Sequence, residues 1–199
     1  MEERTLTDKQ ITNLLDLVSH NIKSIKNDSI KEVCKISNID IDKWEWPQGV
    51  GIYGFYKRYM YTGDSKIREW IENWVCNNMK IGLPERNVNT TAPMLTLAFL
   101  AEETQKKEFL DLCRDWADWI MTSLPRTKYG GFQHVVTDDY NYMQLWDDTL
   151  FMTVLFLAKA GKIFGIKEYL DECEHQFLLH SHYLTDTSTG LWYHGWTFD

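Results

Sequence analysis

Residues 144–160 read QLWDDTLFMTVLFLAKA, and this stretch decides the fold. From Leu150 to Ala160 the segment is apolar on nearly every side of a helix, so such a helix must be buried on most sides. Asp147 and Asp148 stand beside Trp146 at its start. Apolar surroundings raise the pKa of a carboxyl group and suit it to proton transfer. The alternative is an aspartate that caps the helix or complements its dipole.

Helices of this buried kind alternate with amphipathic helices along the chain. The nearly all-apolar segments are Val50–Tyr56, Ala92–Ala101 and Leu150–Ala160. Between them, apolar residues recur at helical spacing and form a stripe on one face. The stripes contain Ile11, Leu14, Leu15, Val18, Ile22 and Ile25; Ile67, Trp70, Ile71, Trp74 and Val75; Phe109, Leu112, Cys113, Trp116 and Ile120; and Ile166, Tyr169, Leu170, Cys173 and Phe177.

This alternation predicts an all-α fold of helical hairpins in two layers, with the apolar helices inside. The inner segments begin near Pro47, Pro93 and Asp148, a spacing of roughly 45 to 55 residues that fits helical-pair repeats. A closed toroid is favoured over an open solenoid, because the inner helices lack the polar stripe of a concave solenoid face. Phe132–Val136 is the best candidate for a short strand.

Four loops rich in Trp, Asn, Asp and His lead into the inner helices or stand where the next one is due. The loops are Trp44–Gly49, Asn87–Pro93, Gln144–Asp148 and Trp192–Trp196. In a toroid such loops open at the same end, so we expect their side chains to converge on one cleft. Aromatic rings commonly line sugar-binding clefts, and core packing is the alternative for each ring.

Composition narrows the class of partner. The net charge of −8 argues against nucleic acid and anionic membranes as partners. The chain lacks a signal-peptide pattern and an apolar run of membrane-spanning length, which predicts a cytoplasmic protein. Four widely spaced cysteines show no metal-ligand spacing, so we expect reduced thiols, no metal and no cofactor. His175, His180 and His182 are predicted to be exposed helix residues rather than metal ligands.

The loop motifs carry a family resemblance that extends from about Trp44 to the last residue. They are Trp44-x-Trp46-Pro47-Gln48-Gly49-Val50, Asn89-Thr90-Thr91-Ala92-Pro93-Met94, Gly130-Gly131-Phe132-Gln133-His134, Trp146-Asp147-Asp148-Thr149-Leu150-Phe151-Met152 and Tyr193-His194-Gly195-Trp196. In order and spacing they resemble unsaturated glucuronyl and rhamnogalacturonyl hydrolases, glycoside hydrolase families 88 and 105. The resemblance implies an (α/α)6 toroid of six hairpins. Residues 1–199 would form a single partial toroid domain with about the first three and a half hairpins.

The resemblance also implies a reaction. The substrates are oligosaccharides that carry a 4,5-unsaturated uronic acid at the non-reducing end. The enzyme hydrates the ring double bond, and the resulting hemiketal opens and expels the neighbouring sugar. Since the double bond is a vinyl ether, protonation at C4 gives an oxocarbenium-like centre at C5 that water captures. One carboxyl group can protonate carbon and then take a proton from water.

By resemblance, the Trp-x-Asp spacing assigns that role to Asp148. Asp147 stays open as the alternative, because two adjacent residues at a helix start cannot both point inward. The predicted substrate-binding residues are Trp44, Trp46, Asn89, His134, Trp146, His194 and Trp196. Of these, Trp46 and Trp196 would stack on sugar rings, His194 would bind the uronate or the attacked centre, and His134 would contact the leaving sugar.

Family members continue through a Trp-x-Arg-Gly-Asn-like segment that is absent here, so activity of this chain stays open. An incomplete toroid would leave apolar helix flanks exposed, which predicts self-association. A second hypothesis is a non-catalytic carbohydrate-binding or assembly remnant. A third is a sugar epimerase, which needs paired histidine bases; it is disfavoured because His175, His180 and His182 lie on an outer-type helix. The pectin-derived rhamnogalacturonyl substrate is favoured over a glucuronyl one.

Overall fold

The computed structural model describes residues 6–25 and 40–199 and divides the chain into two compact units, Met1–Lys43 and Trp44–Asp199. In the first unit, helix α1 spans Asp8–Ser24. Thr7 Oγ1 accepts from the Gln10 backbone N–H at 3.4 Å, and Gln10 Oε1 accepts from the Thr7 backbone N–H at 2.9 Å, so this capping box satisfies two backbone N–H groups at the start of the helix.

The second unit is built from helical hairpins. Its elements are α2 (Trp46–Thr62), α3 (Ser65–Ile81), α4 (Val88–Thr104), α5 (Lys107–Thr122), β1 (Gln144–Trp146), a π-helical turn (Leu150–Val154) that continues into α6 (Leu155–Phe164), α7 (Lys167–Leu184) and β2 (Gly195–Thr197). Helices α2, α4 and α6 form the inner layer, and α3, α5 and α7 pack outside them. The predicted alternation of buried and amphipathic helices is therefore confirmed.

Helix α4 lies at the centre of the described inner layer. Twelve of its 17 residues are buried, in agreement with its nearly all-apolar sequence. Helix α2 is buried on one side and exposes Val50, so its apolar sequence overstates its burial. A Cβ atom at Gly49 would lie 2.7 Å from the nitrogen of Pro93, which means that the close approach of α2 to α4 requires glycine.

The inner helices run in the same direction, which places their N-terminal ends together. Gly49 contacts the first half of α4, and further along α2 Tyr56 stacks on Phe99 at 5.1 Å. The Tyr59 hydroxyl donates to Glu103 near the end of α4 at 2.9 Å, so later residues of α2 contact later residues of α4. The Val88 N–H donates to the carbonyl of Val135 at 2.9 Å, and this bond ties the start of α4 to the loop that leads towards α6.

Two sequence-based expectations are corrected. The described strands are β1 and β2, which pair antiparallel with Leu145 opposite Trp196, whereas Phe132–Val136 forms only an isolated bridge, between Phe132 and Arg126. On α7 the predicted stripe is only partly buried. Tyr169 and Cys173 face the core, but Leu170 and Phe177 are exposed.

Candidate active site at the N-terminal ends of the inner helices

Hydrogen bonds connect the four predicted loops to their neighbours. The Trp44 indole N–H donates to the carbonyl of Thr90 at 2.8 Å, joining the first loop to the second. The third and fourth loops join through the β1–β2 ladder and through the Asp147 N–H, which donates to the carbonyl of His194 at 3.0 Å. The segment around His134 connects the loops at the starts of α4 and α6, because the carbonyl of Val135 accepts from the Val88 N–H at 2.9 Å and the His134 N–H donates to the carbonyl of Gln144.

Asp148 stands directly before the π-helical turn of α6, with its side chain 32% exposed. Burial raises its pKa from 3.8 to about 6; His194 opposes this shift, and the like charge of Asp147 adds to it. Within the described residues, the buried Oδ1 atom accepts no hydrogen bond. A buried carboxyl oxygen without a partner, on a group that titrates close to neutrality, is suited to exchanging protons with a ligand.

His134 lies beneath Trp146, where it is 3% exposed. The two rings stack with centroids 4.3 Å apart and an interplanar angle of 3°. His134 Nδ1 is 3.3 Å from Asp148 Oδ1, but it shares its hydrogen bond with Thr149 Oγ1 at 2.8 Å. Burial, with a smaller contribution from His194, lowers the pKa of His134 to about 4, so the ring is neutral at physiological pH. This position corrects the expectation that His134 contacts the leaving sugar.

The loop around His134 is fixed by its own hydrogen bonds. The His134 N–H donates to the carbonyl of Gln144 at 3.0 Å, and the Asn141 side-chain amide donates to the carbonyl of His134 at 2.9 Å. Asn141 adopts a left-handed backbone conformation with φ of 44°. Together these contacts fix the position of the His134 imidazole next to Asp148. Thr149 and Asn141 were missed at the sequence level, because their roles depend on contacts that no local pattern signals.

Asp147 points away from this buried cluster and binds His194. Its Oδ1 atom lies 2.7 Å from His194 Nδ1. The His194 side chain is 64% exposed, and its ring centroid lies 4.9 Å from that of Trp146. The adjacent aspartates therefore have different surroundings. Asp148 has the half-buried position with the raised pKa, and Asp147 holds a histidine at the surface.

An open groove lies beside this pair. Its walls are formed by Gln144, Trp146, His194, Gly195, Trp196 and Thr197. Gln144 Oε1 accepts a hydrogen bond from the indole N–H of Trp146 at 2.9 Å and so fixes the ring. Trp196 is 41% exposed and contacts Tyr183 on α7. Three predicted binding residues, Trp146, His194 and Trp196, thus line one groove.

The remaining predicted binding residues lie at the starts of α2 and α4. Trp44 is 5% exposed, stacks on Trp74 at 5.2 Å and donates its indole N–H to the carbonyl of Thr90. It is therefore a core residue, which corrects the prediction that it contacts the sugar. Trp46 and Asn89 are partly exposed in the first turns of α2 and α4. Glu45, which was not predicted as a site residue, accepts a hydrogen bond from the Asn89 side chain. Burial raises the pKa of the Glu45 carboxyl group.

One of the three α7 histidines differs from expectation, whereas His175 and His182 are exposed as predicted. His180 is fully buried, and its Nδ1 shares a hydrogen bond with the carbonyl of Gln176 at 2.7 Å, so it is a core residue rather than an exposed one. Across residues 6–25 and 40–199, no group of three or more His, Cys, Asp or Glu side chains is placed to hold a metal ion. In the same part of the chain, none of the helices has the length and apolar content that a membrane span needs.

Solved structures share this architecture. A possible member of GH105 family from Salmonella enterica subsp. enterica serovar Paratyphi A is 41% identical with a TM-score of 0.92, and the match covers 100% of this chain and 54% of that one. A second possible member of that family, from Klebsiella pneumoniae subsp. pneumoniae, is 40% identical with a TM-score of 0.93 and the same coverage. The fold is thus that of the six-hairpin helical toroids, of which this chain contains a part.

Sequence comparison identifies the family. The profile described as Glycosyl Hydrolase Family 88 matches residues 21–199, and the chain belongs to that family. The unsaturated rhamnogalacturonyl hydrolase YesR of Bacillus subtilis (strain 168) is 32% identical over 155 residues, which make up 77% of this chain and 45% of YesR. The chain therefore spans about half the length of these relatives.

Proposed function

We propose that this protein hydrolyses oligosaccharides bearing a 4,5-unsaturated uronyl residue, with Asp148 as the catalytic acid and base. The observation that carries the proposal is the environment of Asp148. Its carboxyl group is half-buried beside Trp146 and has a pKa raised to about 6, and within the described residues its buried Oδ1 accepts no hydrogen bond although His134 Nδ1 lies 3.3 Å away. A carboxyl group of this kind can hold a proton near neutrality and release it to a bound ligand.

In the proposed reaction, protonated Asp148 gives its proton to C4 of the substrate, and positive charge develops between C5 and the ring oxygen. Water then forms a bond to C5 and gives up a proton to the Asp148 carboxylate. The group returns to its starting state, and the net change is addition of one water molecule across the double bond. The hemiketal at C5 then opens and releases the neighbouring sugar.

The groove lined by Trp146, His194 and Trp196 is the proposed binding site for the sugar, and Asp148 lies two residues after Trp146 in the chain. Trp196 and Trp146 offer aromatic surface, and His194 offers a polar group at the surface between them. Trp46 and Asn89, at the starts of α2 and α4, are proposed as further contacts. Because YesR is by name an unsaturated rhamnogalacturonyl hydrolase, we propose a pectin-derived unsaturated galacturonyl-rhamnose unit as the substrate class.

The test is an absorbance assay with an unsaturated galacturonyl-rhamnose disaccharide. Hydration removes the conjugated double bond, so turnover lowers the ultraviolet absorbance. The proposal expects a loss of absorbance with the native chain and at least a 100-fold slower loss with Asp148→Asn, since general acid–base catalysis contributes about 10²–10⁴-fold. Equal rates for the two proteins would reject Asp148 as the catalytic group.

A second candidate is a carbohydrate-binding protein without turnover. It is favoured by the lining of the groove, which contains the aromatic rings of Trp146 and Trp196 but not Asp148. Calorimetric titration of the same disaccharide separates the two candidates. Binding without any loss of absorbance selects the non-catalytic function.

We further propose that the second unit self-associates. Apolar side chains are exposed on α7 and on the segment that follows it, including Phe177, Leu178, Leu191 and Trp192. Exposed apolar surface favours association. Light scattering over a range of protein concentrations tests this proposal, and a stable monomer at every concentration would reject it.

A further inference from the structure

Asp147 holds the loop of His194 at two points. Its backbone N–H donates to the carbonyl of His194 at 3.0 Å, and its side-chain Oδ1 lies 2.7 Å from the ring nitrogen Nδ1. The first contact joins two backbones, and the second selects one nitrogen of the imidazole. His194 lines the groove, and the ring of Trp146 lies beside it with centroids 4.9 Å apart.

The chemistry of the second contact determines which nitrogen carries the proton. An ionised carboxylate only accepts hydrogen bonds, so Nδ1 must donate. In the neutral imidazole the proton therefore resides on Nδ1, and Nε2 has a lone pair. When the ring is protonated, Nε2 becomes a donor while the Nδ1 contact is unchanged. A carboxylate bound to one ring nitrogen fixes the orientation and the chemical role of the other.

The side-chain contact is not needed to hold β2 in place. The β1–β2 ladder pairs Gln144 with Thr197 and Trp146 with Gly195, and the Asp147 N–H bond extends this connection by one residue. A backbone contact of that kind survives any non-proline substitution at position 147. The carboxylate of Asp147 therefore adds something that the ladder does not supply, which is control of the imidazole.

We propose that Asp147 is a positioning residue that fixes His194 as the Nδ1–H tautomer and presents Nε2 to the ligand in the groove. Neutral His194 then accepts a hydrogen bond from a sugar hydroxyl, and protonated His194 donates one to a sugar carboxylate. The identity of the ligand as a uronyl sugar rests on the proposed function. The tautomer does not depend on it and can be observed without any ligand.

The first experiment measures the two ring nitrogens of His194 by long-range 1H–15N NMR at a pH where the ring is neutral. Nδ1 should have the chemical shift of a protonated nitrogen, and Nε2 that of an unprotonated one. Asp147→Ala should lose this preference. Asp147→Asn should retain part of it, because the amide oxygen can still accept from Nδ1. Asp111→Ala, which removes an exposed carboxylate from α5, is the control and should leave His194 unchanged.

The second experiment adds the unsaturated galacturonyl-rhamnose disaccharide in an Asp148→Asn background, in which it is not consumed. Nε2 should shift on binding more than Nδ1 does, and Asp147→Ala should weaken binding about tenfold, as loss of one oriented, charge-assisted hydrogen bond would. A neutral ring protonated on Nε2 in the native protein would overturn the proposal. So would an Asp147→Ala variant with an unchanged tautomer. Absence of binding would reject the proposed function, and the tautomer would still decide the role of Asp147.

Discussion

Replacement of Asp148 by asparagine should make the protein more stable at neutral pH. Burial raises the pKa of Asp148 from 3.8 to about 6, so ionisation is less favourable in the folded state than in the unfolded chain. The difference between those values corresponds to at most about 3 kcal/mol. Because the side chain is 32% exposed, solvent screening reduces the expected effect to about 1–2 kcal/mol.

The pH dependence gives the prediction its direction. Between about pH 4 and pH 6 the folded state binds more protons at this position than the unfolded state, so the wild-type protein loses stability as the pH rises through this window. Asparagine cannot ionise. We therefore expect Asp148→Asn and wild type to have similar stabilities near pH 3.5 and to diverge until about pH 7.

Thermal unfolding of both proteins between pH 3.5 and 8 measures this divergence. At neutral pH the melting temperature of Asp148→Asn should exceed that of wild type by about 3–6 °C. Asp111→Asn on the exposed face of α5 is the matched control, with an expected change within about 0.5 kcal/mol at every pH. A variant less stable than wild type at pH 7, or a difference that does not vary with pH, would refute the assignment of Asp148 as a destabilised carboxylate.

Three further predictions use paired positions or pH. Gly49→Ala should lower the free energy of unfolding in urea by about 1–3 kcal/mol, because its Cβ would lie 2.7 Å from the backbone of α4. Gly54→Ala should raise it by about 0.5–1 kcal/mol, because among the described residues no atom lies within 4 Å of the added Cβ. Burial lowers the pKa of His134 to about 4, so the folded state binds fewer protons than the unfolded chain between pH 6.5 and pH 4. As the pH falls through this window, wild type should therefore lose up to about 3 kcal/mol of stability relative to His134→Gln. Parallel pH profiles of the two proteins in urea unfolding would contradict this. Trp44→Ala should destabilise the fold by about 3–5 kcal/mol, because Trp44 is buried. Trp196→Ala should weaken sugar binding with a much smaller loss of stability, because Trp196 is exposed. Thermal melting measures the stability of both variants, and calorimetric titration measures their sugar binding.

The layered helices could be predicted from sequence because burial leaves a direct record in the pattern of apolar residues. A helix packed on most sides, such as α4, has no polar face, and a helix packed on one side, such as α5, has a single stripe. The same pattern placed the pair Asp147 and Asp148 at the start of the apolar segment that begins at Leu150, and the family resemblance favoured Asp148. These features depend only on neighbours along the helix.

The details of the site could not be predicted because they depend on pairs of residues far apart in the chain. Strand β1 has three residues, too few for an alternating pattern to be recognised, and its partner lies about 50 residues later. Trp44 and Trp196 both stand beside small or polar residues, yet one packs on Trp74 and the other lines the groove. Nothing local to His134 indicates that Trp146 will cover it.

The energetic cost of Asp148 and the chemical role proposed for it have the same origin, which is the burial of its carboxyl group. With a pKa of about 6, the group is protonated in about one molecule in ten at pH 7, whereas an ordinary aspartate would be protonated in about one in a thousand. The proposed reaction needs the acid form first and the carboxylate immediately afterwards, so a pKa close to the working pH serves both steps. His134 supports this without competing for the proton, because its own pKa of about 4 keeps it neutral beside Asp148. A neutral residue at this position would make the fold more stable at neutral pH but could not exchange a proton, which is the role proposed for Asp148.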